Sequence, residues 1–231
     1  MIGKTFKCRC GAQIEDFAPR CKACFDAEEA ESARAAERDW RADIQRMGRG
    51  AGAPAFDFAD FEKPEFSRQI MGKKLLQLGQ RYALERSLMF MGPSGVGKTT
   101  VVRAMLRRLL RQEVRKVLGG PVGGNPTPLL KRLSRAVWTD GFALAQARRQ
   151  TGMGRGEAEL VERAFRTPVL ILDEVGHEPL CEIIFEVADR RYRDDTITIV
   201  TTGLTPKAFQ ERYGQACWRR LTERAAVVEE W

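Results

Sequence analysis

Long apolar runs are missing from this 231-residue chain: no stretch approaches the roughly 20 apolar residues that a membrane-spanning helix needs. The opening residues, MIGKTFKCRC, lack the apolar core of a secretory signal, so a cytoplasmic protein with no membrane partner is expected. Histidine is nearly absent, and the one residue, His177, falls in a predicted loop. Cysteine is scarce as well. Of six in total, four crowd before residue 25, and in a reducing compartment such crowding favours a metal over disulfides.

Positive charge is scarce at the front of the chain and plentiful behind it. Residues 1–65 hold 11 Lys/Arg against 13 Asp/Glu, whereas the remaining 166 hold 28 against 18, a net of +10. A basic excess confined to one part suits a polyanionic partner, through long-range attraction and counterion release. The plainer reading is solubility together with attraction of a nucleotide.

Composition divides the chain into three. Residues 1–25 form a cysteine-bearing module, and residues 26–54 a charged, helix-forming linker ending in the hinge GRGAGAPAFDF. Residues 55–231 alternate strand-like and helix-like patterns. SLMFM (87–91) reads as a buried strand stopped by Gly92 and Pro93. Residues 98–118 show a helical apolar period, with Arg103, Arg107, Arg108, Arg111, Arg115 and Lys116 on the opposite face. RAVWTD (135–140), PVLILDE (168–174) and TITIVTTG (196–203) read as strands, with helices at 141–150, EAELVERAF and 180–193. LGGPVGGNPTP and TGMGRGEA read as loops, and Thr205-Pro206 opens a further helix as N-cap and first residue. Strands alternating with helices predict an α/β fold, a parallel sheet flanked by helices.

GPSGVGKT fits the phosphate-loop pattern G-x-x-x-x-G-K-[ST], with an apolar strand before it and a helix after it. Gly92, Pro93, Ser94, Gly95, Val96 and Gly97 supply small residues and turns, so that successive backbone N–H groups can curl around phosphates. Lys98 can reach the β- and γ-phosphates of ATP, the Thr99 hydroxyl can bind Mg2+, and Thr100 can touch the α-phosphate. LILDE supplies the second half. Asp173 ends a strand, where it can hold Mg2+, and Glu174 is placed to polarise an attacking water, which points to an ATP hydrolase.

The succession AFDFADFEKPEF, GPSGVGKTT, LILDEVG, EVADRRYRDDTITIVTTGL and ERYGQACWRRLTERAAVVE resembles the DnaC/IstB-like branch of AAA+ ATPases, over roughly residues 55–229. The resemblance implies a five-stranded parallel sheet, ATP-driven self-association, and action on DNA or a partner ring. It also implies that an arginine acts in trans on a neighbour's γ-phosphate; the matching position is Arg220, with Arg219 and Arg224 as neighbours of the same type. Where that branch carries a sensor asparagine, this chain has Gly203; either Thr202 substitutes for it with its hydroxyl, or hydrolysis is slow. With Trp231 so soon after this segment, little room is expected for the helical lid of many AAA+ proteins.

Cys8, Cys10, Cys21 and Cys24 form C-x-C-x10-C-x-x-C, two close pairs that can place four thiolates around Zn2+; an iron–sulfur cluster and plain reduced thiols are the alternatives. Twenty residues cannot build a core, so metal would supply the folding energy. Cys181 and Cys217 fall in predicted helices as small apolar residues.

A zinc module ahead of such an ATPase resembles replicative helicase loaders, in which the N-terminal part grips a hexameric DNA helicase. The expected function is therefore an ATP-dependent loader that binds the helicase through the zinc module and single-stranded DNA through the ATPase domain. The alternative is a transposase helper ATPase acting on duplex DNA. A small-molecule kinase would need a basic lid, for which TGMGRGEAE is the one candidate, and a non-hydrolysing scaffold would need no acid pair.

Overall fold

The computed structural model describes residues 6–14, 21–49, 61, 66, 70–118, 127–150, 158–179 and 181–231. A two-stranded antiparallel hairpin, β1 (Phe6–Lys7) and β2 (Gln13–Ile14), leads into a single helix α1 (Lys22–Arg49). That helix runs without a break past residue 25, so the cysteine module and the linker share one rod. The hinge around residue 50, most of the segment AFDFADFEKPEF, and the loops at 119–126 and 151–157 lie outside the described residues.

The rest is built on five strands: β3 (Ser87–Met91), β4 (Val137–Asp140), β5 (Val169–Val175), β6 (Ile197–Thr202) and β7 (Ala225–Glu229). They lie in the order β4-β5-β6-β3-β7, and every pairing is parallel. The five-stranded parallel sheet is thus present. Its fifth member, AAVVE, has four partly exposed residues and no run of buried ones, so periodicity alone does not mark it.

Helices cover both faces. One face is closed by α2 (Lys73–Arg81), α3 (Lys98–Leu118) and the short α4 (Pro128–Leu133). The other is closed by α5 (Gly141–Gln150), α6 (Glu159–Arg166), α7 (Glu182–Arg193) and α8 (Pro206–Thr222). Alternate strand residues serve the two layers: Leu88, Phe90 and Ile171 meet Val102, Met105 and Leu106, whereas Met89, Met91 and Leu172 meet Ile184, Val187 and Phe209. A strand buried on both faces reads as a continuous apolar run, which is why SLMFM and VLIL carry no alternation. Thr205 caps α8, accepting from Ala208 N at 3.2 Å, and Gly214 (φ 81°) kinks that helix midway.

The basic stripe of α3 is only partly a free surface: Lys116 is exposed, whereas Arg107 and Arg111 are half-buried. Arg103 is 2% exposed and lies over the Trp138 ring, 5.4 Å from its centre, and Arg108 donates to the carbonyls of Gly79 and Tyr82. Burial lowers the pKa of both guanidiniums. The reason is that α1 and α2 pack along α3 and Trp138 of β4 lies against Arg103, so these two arginines are spent inside the protein.

Arg191, on α7, is 1% exposed and holds three segments together. Its guanidinium donates to the carbonyls of Ala164 and Thr167 (2.8 Å each) and Ile197 (2.6 Å), and to the Thr198 hydroxyl (2.8 Å). Burial pulls its pKa down to about 9, so it stays charged at neutral pH. Each buried acceptor left without a donor costs ~1–3 kcal/mol. Arg191→Met is therefore expected to lower the unfolding free energy by about 3 kcal/mol, read by urea denaturation; a loss below about 1 kcal/mol would contradict this account.

Candidate nucleotide and metal sites

The phosphate loop emerges from the C-terminal end of β3 and closes onto the first turn of α3, which begins at Lys98. The N-terminus of that helix carries unpaired N–H groups and the positive end of its dipole, both suited to phosphate. Two glycines are dictated by what lies behind them. A Cβ at Gly92 (φ 155°) would stand 2.5 Å from the Glu230 carbonyl oxygen, and one at Gly97 (φ 97°) would stand 2.8 Å from Ile70 Cδ1. Pro93, Ser94 and Gly95 are exposed on the loop's outer side, whereas Val96, Thr99 and Thr100 are half-buried. The loop is braced from outside itself: Gly72 N donates to Val96 O at 3.3 Å, and Glu230 N to Met91 O at 3.0 Å. The Glu230 carboxylate in turn caps α2, accepting from Lys74 N and from Leu75 N at 3.1 Å.

Lys98 is folded into this cradle, its Nζ donating to Gly92 O (2.6 Å) and Pro93 O (2.8 Å). Burial pushes its pKa down, and the charges of Asp173 and Glu174 oppose that shift. Across the loop, Asp173 is buried and its Oδ1 accepts from two hydroxyls, Thr99 at 2.8 Å and Thr201 at 2.6 Å. The register between β5 and β6 slips between Leu172 and Val175. At that bulge Glu174 takes a left-handed backbone (φ 54°) and its side chain is exposed, while its N–H donates to Thr201 Oγ1 at 2.9 Å. One bulge thus turns two consecutive acids apart, one inward to the Thr99 hydroxyl and one outward to solvent.

Thr202, expected to take the sensor position, is fully buried: its hydroxyl donates to Val175 O (2.6 Å) and accepts from Leu204 N (3.1 Å). The threonine that reaches the acid pair is its neighbour Thr201. Nothing in TTG distinguishes the two, since the choice depends on the bulge opposite.

Glu178 is the other residue that sequence reasoning passed over. It is 1% exposed, accepts from Gly176 N (3.0 Å) and the Tyr213 hydroxyl, and lies 3.6 Å from Arg212 Nε. It fastens the turn after the acid pair to α8 just before the Gly214 kink. His177 between them is exposed.

Arg220 stands elsewhere. It lines a small surface cleft with Ser87, Tyr192, Thr198 and Arg224. Ser87 begins β3, and the phosphate loop follows its other end, about 16 Å away at ~3.3 Å per residue. Arg220 is therefore not part of its own chain's phosphate site.

In the N-terminal module the Sγ atoms of Cys8, Cys10, Cys21 and Cys24 all lie within 4.8 Å of one another, with Cys10 and Cys21 at 3.4 Å. A Zn–S bond of about 2.3 Å gives tetrahedral S···S edges of about 3.8 Å, so the donor set fits such an ion. Gly11 (φ 90°) turns the hairpin, its N–H on Cys8 O at 2.8 Å, and α1 starts between the second pair. The Cys21 and Cys10 amides hold the Cys8 thiol down at about 6, whereas hydrogen bonds from Cys10, Cys8 and Cys21 push Cys24 up to about 12. Four thiols this close resist full ionisation without a cation to offset their charge. Cys217 is buried in the α8 core, and Cys181 sits half-buried just ahead of α7. The full chain is expected to bind one zinc ion through the N-terminal module, as metal analysis after dialysis will read. Cys10→Ser/Cys24→Ser should abolish that stoichiometry, and undiminished zinc in the double variant would remove the assignment.

A family model for the AAA domain matches residues 81–206, more than half of the chain. Among curated proteins no sequence matches. Among solved structures, that of the DnaC helicase loader is similar over 78% of this chain and 100% of that one, with TM-score 0.54 and 18% identity. DnaI matches over 80% and 93%, with TM-score 0.49 and 16% identity. A putative primosome component from Streptococcus pyogenes serotype M3 matches over 74% and 82%, with TM-score 0.48 and 16% identity. With its phosphate loop, its acid pair and the parallel sheet that carries them, this chain belongs to the AAA domain family of nucleotide-binding ATPases.

Proposed function

We propose that the chain is an ATP-dependent loader of a replicative hexameric DNA helicase. ATP lies in the cradle of residues 92–100, where its phosphates compete with the Gly92 and Pro93 carbonyls for Lys98. Thr99 and Asp173 hold Mg2+, which supplies charge neutralisation on the phosphates. Glu174 orients and deprotonates the attacking water, and Arg220 from an adjacent copy steadies the charge of the transferring phosphoryl group. The basic excess of residues 66–231 holds single-stranded DNA, through exposed lysines and arginines other than the buried Arg103. The four-thiol module, at the far end of α1, grips the helicase through protein–protein contact.

What supports this reading is the pairing of a glycine-rich loop beside the Thr99–Asp173 hydrogen bond with a four-thiol module, in a fold similar to the whole of the solved chain of the DnaC helicase loader. Capture of the ATP-bound chain is expected to bring a hexameric helicase with it, and Cys10→Ser/Cys24→Ser should release that partner. A transposase in its place would make the chain a transposase helper instead.

Lys98→Ala is expected to abolish ATP binding by calorimetry. Glu174→Gln should keep ATP binding while lowering turnover about 10²- to 10⁴-fold, the usual worth of a general base. Single-stranded DNA should raise wild-type turnover; unchanged hydrolysis in Glu174→Gln would overturn the assignment of the base.

A further inference from the structure

Arg220 is embedded in a small set of side chains that fixes one end of its guanidinium and leaves the other end open. Asp189, Tyr192 and Arg193 lie on α7 at positions i, i+3 and i+4, hence on one face of that helix. Asp189 Oδ1 accepts from Arg220 Nε at 2.7 Å, while its Oδ2 lies 3.1 Å from Arg193. The Arg220 guanidinium lies over the Tyr192 ring, 4.9 Å from its centre. The hydrogen bond to Arg220, with Arg193 adding to it, holds the Asp189 carboxyl below the usual carboxylate range.

The two competing arginines are built differently. Arg224 also lies over Tyr192 (4.6 Å), but its terminal NH1 is tied to Asp195 at 2.8 Å, in a pair that is mostly exposed. Arg219 is exposed and makes no side-chain hydrogen bond or ion pair among the described residues. In Arg220 alone of the three, the carboxylate takes Nε and the two terminal nitrogens have no hydrogen-bond partner among the described residues. Those two nitrogens form the fork that matches phosphate oxygens.

We infer that Asp189 is the positioning residue for Arg220: by taking Nε against the Tyr192 ring, it presents the terminal nitrogens of Arg220 to the nucleotide phosphate of an adjacent copy. The inference rests on the trans role of Arg220 proposed above. Holding the guanidinium in one orientation removes the freedom it would otherwise lose on meeting the phosphate, and preorganised donors cost no rearrangement in the reaction. The carboxylate is well suited to this. An acid on the terminal nitrogens would instead occupy the fork and repel the phosphate.

Mixing experiments with full-length chains separate this role from others, because each variant can be asked to supply either the phosphate loop or the arginine. Arg220→Ala should lower turnover roughly 10³-fold, as loss of an arginine acting in trans does. Mixed with Lys98→Ala, which keeps the arginine, it should recover. Asp189→Ala alone should lose at least about tenfold in kcat with ATP affinity unchanged, for want of an oriented guanidinium. Asp189→Asn, whose oxygen still accepts from Nε, should keep most activity.

The deciding pair runs in opposite directions. Asp189→Ala mixed with Lys98→Ala should recover, since its own phosphate loop is intact. Arg220→Ala mixed with the double variant Lys98→Ala/Asp189→Ala should not. Recovery in that second mixture would overturn the role of Asp189, and so would failure in the first, which would signal damage to the fold. If Arg220→Ala turns over like wild type, or fails to recover with Lys98→Ala, the trans arginine itself is wrong, a result distinguishable from both.

Discussion

One carboxylate oxygen ties this ATPase domain together at its working end. Asp173 Oδ1 accepts a hydroxyl from Thr99, in the first turn of α3, and another from Thr201, near the end of β6. Three elements distant in sequence therefore meet at a single acceptor, inside a site where an unpaired carboxylate would be costly. Thr201 closes the circuit by accepting the N–H of Glu174, a group that the bulge in β5 removes from the ladder. The outward turn of Glu174 and the inward turn of Asp173 are two results of the same irregularity, and neither is available without the other.

A second constraint lies at the far end of the strands. Arg191 serves three carbonyls and a hydroxyl where α6, α7 and β6 converge, and the neighbouring cleft is walled by Arg220, Arg224 and Tyr192. The parallel sheet separates these two ends by its own length. A guanidinium at one end and a phosphate cradle at the other cannot serve each other within a chain, but they can when copies stack in one direction. The geometry of the strands thus makes association a condition of the proposed chemistry.

The parts legible in the sequence were those with a local cause. SLMFM followed by a phosphate loop, the apolar run ending in Asp173 and Glu174, the Thr205-Pro206 helix start and the paired cysteines each declare themselves within fewer than twenty residues. What stayed hidden depends on partners far along the chain. AAVVE becomes a strand because β3 offers it an edge, with Ala226 and Val228 packed on one layer and Val227 on the other. Thr201 rather than Thr202 meets the acids because of a slip in the opposite strand. Arg103 looks like part of a basic face on a helical projection, yet Trp138 on the edge strand covers it. Glu178, an ordinary acid in a loop by sequence, is buried because Tyr213 and Arg212 close over it from a helix 35 residues later.

The brace behind the phosphate loop has its own consequence. Gly92 lies against the Glu230 carbonyl, and the strand that leads to Glu230 pairs with the outer edge of β3. During synthesis the loop leaves the ribosome long before its backstop does. Until residues 225–230 emerge, β3 has a naked margin and the turn above it has nothing to lean on. A nascent chain stalled short of that point carries every motif for gripping nucleotide and still lacks the wall that shapes the grip.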